Sequence, residues 1–448
     1  MTLEKVNKLY FPKVRCMKMN PVKRDLYLNK LIDKKENGLV KIITGIRRCG
    51  KSYLLFHLFY DYLLSCGVKK ENIITLSLDD DRNREFSDPD KLSEYLYHHI
   101  QSSDEMYYVL LDEVQFAISE KEQKGNQPIR LYGILNGLLR MGNVDIYVTG
   151  SNSKFLSSDI MTEFRGRGDE VRIYPLSFSE FFSSGIYSDR YQAWNEYSMY
   201  GGMPLLLTKK SDAEKSSYLK TLLSRTYLYD VVERNNLKGD VVLDTLVDIL
   251  ASSIGSLTNP TKLSKTFASS NIKVSDITIS KYIDYLLDAF LIRKAKRYDI
   301  KGKKYINSPF KFYFTDIGLR NCRLNYRQQE QTHIMENIIY NELTIRGYDV
   351  DVGIVEHVIR NKEGKQKLSQ LEVDFVCNKG SDRYYIQSAF SIPDEEKMVQ
   401  ETSSLNRIDD SFRKIVVTQD FTKPWHNEKG YLIINILDFL LNPDSMDW

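Results

Sequence analysis

The chain of 448 residues is 42% hydrophobic and carries 63 Lys and Arg against 60 Asp and Glu, a net charge of only +3. That length implies roughly two to four domains. The balanced charge excludes a whole-molecule field for nucleic acid or an anionic membrane, so any such surface must be local. The start of the chain is polar, without a signal-type apolar region, and no uninterrupted apolar stretch reaches bilayer length, so a cytoplasmic protein with no membrane partner is expected. Five scattered cysteines without a CxxC pair argue against a disulfide framework and against a zinc site.

The first informative element is a buried strand over 39–44, followed by Gly45-Ile46-Arg47-Arg48-Cys49-Gly50-Lys51-Ser52 and an amphipathic helix from Tyr53 onward. A glycine-rich loop between a strand and a helix N-terminus turns backbone N–H groups onto an anion. Gly45 and Gly50 allow backbone angles and close approach that a side chain would block, while Lys51 sets a point charge on the β- and γ-phosphates and the Ser52 hydroxyl suits Mg²⁺. Arg47 and Arg48 either touch phosphate or a neighbouring subunit, or are solvated loop charges. Cys49 either makes nucleotide binding sensitive to alkylation or fills a variable position. Together with Tyr53, these residues form the candidate cofactor-binding set.

A second strand over 72–78 precedes the strand 107–111, which is apolar throughout and ends in Asp112-Glu113. This is a Walker B pattern: Asp112 holds the Mg²⁺ shell beside Ser52, and Glu113 orients the attacking water. Gln115 either senses the γ-phosphate or faces solvent. A further strand, 145–150, runs into Ser151-Asn152-Ser153, where Asn152 or Ser151 fits a γ-phosphate sensor or caps the next helix. Arg165 and Arg167 either act as an arginine finger, within one subunit or across a homo-oligomer interface, or are structural loop arginines.

These motifs, with Pro175-Leu176-Ser177-Phe178 and Gly201-Gly202-Met203-Pro204, resemble the prokaryotic AAA-type ATPase family, close to the archaeal-type and STAND ATPases, with a fused C-terminal domain of uncharacterised function. They run in that family's order along nearly the whole chain. The resemblance implies an α/β fold, a three-layer αβα P-loop core with a parallel sheet, followed by a winged helix and a nuclease-like α/β domain. ATP as the nucleotide is also taken from it.

Expected boundaries are 1–185 for the ATPase core, 186–240 for a helical lid and linker, 241–325 for a winged helix and 326–448 for the nuclease-like domain. Three helices near 240–253, 261–269 and 278–290 precede a hairpin carrying Arg293, Lys294, Lys296, Arg297, Lys301, Lys303 and Lys304. With Lys281 on the third helix, this set either contacts duplex DNA or belongs to a docking module. In the last segment the helix Glu336 and strand Asp374 match the first two positions of a PD-(D/E)xK nuclease. The third position reads Gln387-Ser388-Ala389 instead of Glu-x-Lys, so weak metal binding and no cleavage are expected. The leading expectation is a Mg²⁺-dependent ATPase that moves its C-terminal modules against an unidentified protein partner. The alternatives are a DNA-binding adaptor with ATP as a slow switch and, least favoured, an ATP-regulated nuclease.

Overall fold

The computed structural model describes residues 21–100, 104–123, 127–150, 168–235, 237, 241–360 and 366–448. Among them the strands form two sheets, one near each end of the chain.

The first sheet is parallel throughout and contains β1 (Val40–Thr44), β2 (Ile73–Ser77), β3 (Tyr107–Asp112), β4 (Val144–Thr149) and β5 (Gly168–Arg172) in the order β2-β3-β4-β1-β5. All residues of β1, β3 and β4 are buried, as strands covered on both faces must be. Alternate side chains feed two cores. Val40, Ile42, Val109, Leu111, Ile146 and Val148 enter one, and Ile43, Leu110 and Tyr147 enter the other. This order puts β4 between the loop strand β1 and the Walker strand β3.

Beyond this sheet, the helix Asp212–Thr221 continues through 222–228 into Tyr229–Arg234. Its start is fixed by a capping box in which Ser211 accepts from the Glu214 backbone and Glu214 returns a bond to the Ser211 N–H. The buried Asp316 accepts from the Gly202 N–H at 2.7 Å and the Leu319 N–H at 3.1 Å. It thereby ties the Gly201–Pro204 motif to the helix Ile317–Arg323.

The helices Val241–Ser252, Pro260–Ser269 and Asp276–Asp288 occur near the positions expected from periodicity, with Asn259 capping the second. The hairpin that follows, β6 (Ile292–Asp299) and β7 (Lys304–Phe314), differs from the expectation of a separate wing. It continues into one sheet with β8 (Asp349–Arg360), β9 (Gln366–Lys379), β10 (Asp382–Ala389), β11 (Arg413–Thr418), β12 (Trp425–His426) and β13 (Leu432–Asn435), in the order β12-β13-β11-β10-β9-β8-β6-β7. The join is a parallel pairing of β6 with β8 over Arg297–Asp299.

Its basic residues therefore divide. Arg293 bonds the Tyr174 hydroxyl at 2.6 Å and Arg297 bonds Gln370 at 2.9 Å, both turned into the protein, whereas Lys301, Lys303 and Lys304 at the turn are exposed. Lys281 is exposed as well. Among the described residues no helix is long and apolar enough to cross a membrane.

Candidate nucleotide site

The glycine-rich loop leaves β1 at Thr44 and enters its helix at Lys51. Gly45 has φ 145°, and a Cβ there would lie 2.2 Å from the Ile173 carbonyl oxygen, so the chain passing beyond β5 demands glycine. Gly50 has φ 104° and precedes the first helical residue.

The buried Lys51 ammonium donates to the Gly45 carbonyl at 3.1 Å and the Ile46 carbonyl at 3.4 Å. The nearest carboxylate oxygen paired with it is on Glu113, at 4.0 Å. The positive charge thus stands among neutral acceptors inside the loop, where a phosphate would meet it.

Asp112 ends β3 and is nearly buried. Burial, then the neighbouring Glu113 charge, pushes its carboxyl up to about 6, while hydrogen bonds from Thr149 and Ser52 pull the other way. The Ser52 hydroxyl and the Asp112 carboxylate are therefore in contact, a pairing of oxygen donors suited to Mg²⁺. Glu113 adopts a left-handed φ of 54°, and its N–H donates to Thr149 Oγ1 at 3.1 Å. Thr149 Oγ1 also donates to Asp112.

Thr149, the last residue of β4, consequently links the Asp112 carboxylate to the Glu113 backbone. The sequence expectation assigned the polar role on this strand to Asn152 or Ser151. Asn152, Ser151, Arg165 and Arg167 lie outside the described residues. Gln115 is partly buried, and its amide nitrogen donates to Glu113 Oε2.

The arginines of the loop point to the helical segment. Arg47 pairs with Asp230 at 2.6 Å, and its carbonyl accepts from the Tyr227 hydroxyl at 2.7 Å. Arg48 holds a left-handed φ of 61° and faces Tyr218, whose hydroxyl it influences. Cys49 is fully buried, its thiol 3.8 Å from the Ile173 carbonyl, and burial pushes the thiol up. A reactive thiolate is thereby disfavoured, which corrects the alkylation expectation. The Tyr53 ring lies 5.2 Å from His57 on the half-exposed side of the helix.

One brace was not anticipated. The buried Arg24 donates to the Cys49 carbonyl at 3.1 Å and the Tyr174 carbonyl at 2.7 Å, and pairs with Glu180 at 3.1 Å. No local pattern marks it, because all three partners are distant in the chain.

A second cluster gathers in the C-terminal sheet. Glu336 accepts from Lys311 at 2.9 Å and from the Tyr313 hydroxyl at 2.7 Å, and Lys311 also meets Glu372 at 2.6 Å. Asp374 is 4.0 Å from the same ammonium and accepts from the Ser388 N–H at 2.8 Å. Burial opposes the charge of Glu336, yet Lys311 and His333 hold its carboxyl below the usual range; burial and then Glu336 push Asp374 up. Position 389 is alanine, and the ammonium in this cluster comes from Lys311 on β7.

The AAA domain family matches residues 37–182, and a domain of unknown function matches 191–330. A Haemophilus influenzae protein described as uncharacterised is 34% identical over 424 residues, covering 94% of this chain and 98% of its own. The chain belongs to this AAA-domain family. An uncharacterised protein of Methanocaldococcus jannaschii is 27% identical over 440 residues, covering 93% of this chain and 90% of its own. Among solved structures, a Walker-type ATPase of Pyrococcus abyssi aligns with a TM-score of 0.41 at 14% identity, covering 67% of this chain and 95% of that one. The AAA domain contains the glycine-rich loop, Asp112, Glu113 and Thr149, whereas Asp230, Tyr227 and Lys311 belong to the region matched as a domain of unknown function.

Proposed function

We propose that the AAA domain hydrolyses ATP with Mg²⁺ and that the bound nucleotide alters the hold of the loop on the helical segment 212–234. The observation that carries this reading is the convergence of the Lys51 ammonium, the Ser52–Asp112 pair and the Glu113 carboxylate at one end of β1 and β3. A magnesium ion, when bound, supplies charge neutralisation for the phosphates. Ser52 and Asp112 are the residues that would hold it.

Lys51 exchanges its two carbonyl partners for phosphate oxygens, which strengthens the contact because the new acceptors are charged. Glu113 turns from Gln115 to a water and draws its proton as the water attacks the terminal phosphorus, whose bond to the β–γ bridging oxygen breaks so that ADP and inorganic phosphate leave. Thr149 holds the backbone of Glu113 and the side chain of Asp112 in register meanwhile. Arg47 lies between the loop and Asp230, so a phosphate entering the loop competes for its charge. Arg165 and Arg167 complete the proposal as finger candidates and Asn152 as a sensor.

Lys51→Ala is expected to weaken ATP binding, followed with a fluorescent nucleotide, by about 30-fold or more while preserving the fold by circular dichroism. Unchanged affinity would remove the loop from the reading. A second reading, a nucleic-acid adaptor using ATP as a slow switch, is favoured by the exposed Lys281, Lys301, Lys303 and Lys304. It requires duplex binding that weakens steeply with salt, and substituting the three turn lysines should reduce that slope.

A further inference from the structure

Ile173 and Tyr174, just beyond β5, touch both halves of the molecule. Toward the nucleotide loop, the Ile173 N–H donates to the Thr44 carbonyl at 2.8 Å, and the Tyr174 carbonyl accepts from Arg24 at 2.7 Å. Arg24 is only 4% exposed and spans to the loop itself, because its other terminal nitrogen donates to the Cys49 carbonyl at 3.1 Å while Nε pairs with Glu180. Toward the C-terminal sheet, the Tyr174 hydroxyl accepts from Arg293 of β6 at 2.6 Å. Arg293 stands opposite Tyr313 in the β6–β7 ladder, and the Tyr313 ring stacks on Tyr340 of the helix Gln331–Ile345 at 4.2 Å.

The two ends of Tyr174 are held differently. At its carbonyl, one planar guanidinium bridges two acceptors and is itself fixed by a carboxylate, which makes a rigid fork. At its side chain, the Arg172 and Arg293 guanidiniums lie 5.6 and 5.1 Å from the ring centre, and neither forms an ion pair among the described residues. Ring faces and one neutral hydroxyl hold that end, and such contacts rearrange without unfolding. The loop has a reason to move: Lys51 bonds the Gly45 and Ile46 carbonyls and gives them up to phosphate, and the Cys49 N–H is bonded to the same Ile46 carbonyl at 3.3 Å. A shift of Ile46 therefore reaches Cys49, and through the fork Tyr174.

We propose that Arg24, Tyr174 and Arg293 are positioning residues for the nucleotide loop, through which the C-terminal sheet sets how tightly the loop holds ATP. All three act through the Cys49 and Tyr174 carbonyls and the Tyr174 hydroxyl. By linkage, bound ATP alters the β6 end of the joint by the same factor. This route is separate from the pairing of Arg47 with Asp230, since it leaves the loop on the side of β5. It rests on the reading of the loop as an ATP site.

The test is a double-mutant cycle on the full chain, read by the affinity for a fluorescent ATP analogue. Arg24→Lys keeps a cation beside Glu180 but loses the fork, and Tyr174→Phe keeps the ring and the carbonyl but loses the hydroxyl; thermal melting checks the fold of each. Each single variant should weaken affinity by about threefold or more. The double variant should be no weaker than Arg24→Lys alone, because a severed fork leaves the Tyr174 hydroxyl nothing to act on. Hydrogen exchange along β6 should change when the wild type binds the analogue and stay unchanged in Arg24→Lys at saturation, a difference that a merely structural brace does not produce. Unchanged affinity in Tyr174→Phe, additive losses in the double variant, or a wild-type β6 response in Arg24→Lys would overturn the proposal alone. A wild type that binds no ATP analogue would overturn it together with the reading on which it rests.

Discussion

Two buried lysines stand at the centres of the two sheets' sites, and their surroundings are opposite. Lys51 is met by two neutral carbonyls, with Glu113 as far as 4.0 Å away, whereas Lys311 lies at 2.9 Å from Glu336 and 2.6 Å from Glu372. An ammonium left with neutral acceptors contributes little to the fold and is available to an anion. One clamped by carboxylates neutralises buried charge, and the fold depends on it. Position in a cleft therefore does not define a lysine's role; the charge of its neighbours does.

The contrast can be broken most forcefully at Glu336. Glu336→Gln leaves Lys311 with less compensation in a buried place, and a loss of about 3 kcal/mol in unfolding free energy is expected from urea denaturation. The matching change at the other lysine should act on ligand instead of fold: Lys51→Ala is expected to cost about 2 kcal/mol or more in ATP affinity, about 30-fold, with a nearly unchanged melting temperature. Equal destabilisation by both variants would erase the distinction.

The pH dependence sharpens it further. The Asp112 carboxyl, pushed up to about 6 from an ordinary value near 3.8, is disfavoured in its charged form by the fold. The folded protein thus holds its proton more tightly than the unfolded chain; the penalty is complete above pH 6 and vanishes as pH falls toward 4. Asp112→Asn should raise the nucleotide-free melting temperature at pH 7.5, by an amount equivalent to about 2 kcal/mol, and progressively less below pH 6. Mg²⁺–nucleotide affinity of the wild type should decline over the same interval, because protonation removes a ligand charge. The smallest effect belongs to the partly exposed pair of Arg47 and Asp230, where Arg47→Ala is expected to cost under about 1 kcal/mol of stability.

The nucleotide site was legible where chemistry is written in consecutive residues. Gly45 to Ser52 and Asp112-Glu113 each form one short run between elements whose apolar patterns are plain, and β4 lies between their strands. Braces were not legible. Arg24 reaches Tyr174 across 150 residues, and Thr149 acts on Glu113 from the last position of β4, where the sequence offers Ser151 and Asn152 as further polar candidates.

The C-terminal half shows the same limit. Helix spacing and the Asn259 cap marked the three helices, but alternation within β6 does not reveal whether its outer edge is open or paired with β8. No local pattern marks Lys311, because its carboxylate partners follow 25 to 63 residues later, on other elements.

The central claim is that Glu113 serves turnover while Lys51 and the loop serve binding. Glu113→Gln preserves shape and the Thr149 bond to its backbone while removing the carboxylate that accepts the water's proton. Side-by-side measurement of ATP affinity and steady-state phosphate release should give a wild-type-like affinity and a turnover lowered by about a hundredfold or more. Phosphate release at the wild-type rate from Glu113→Gln would contradict the account.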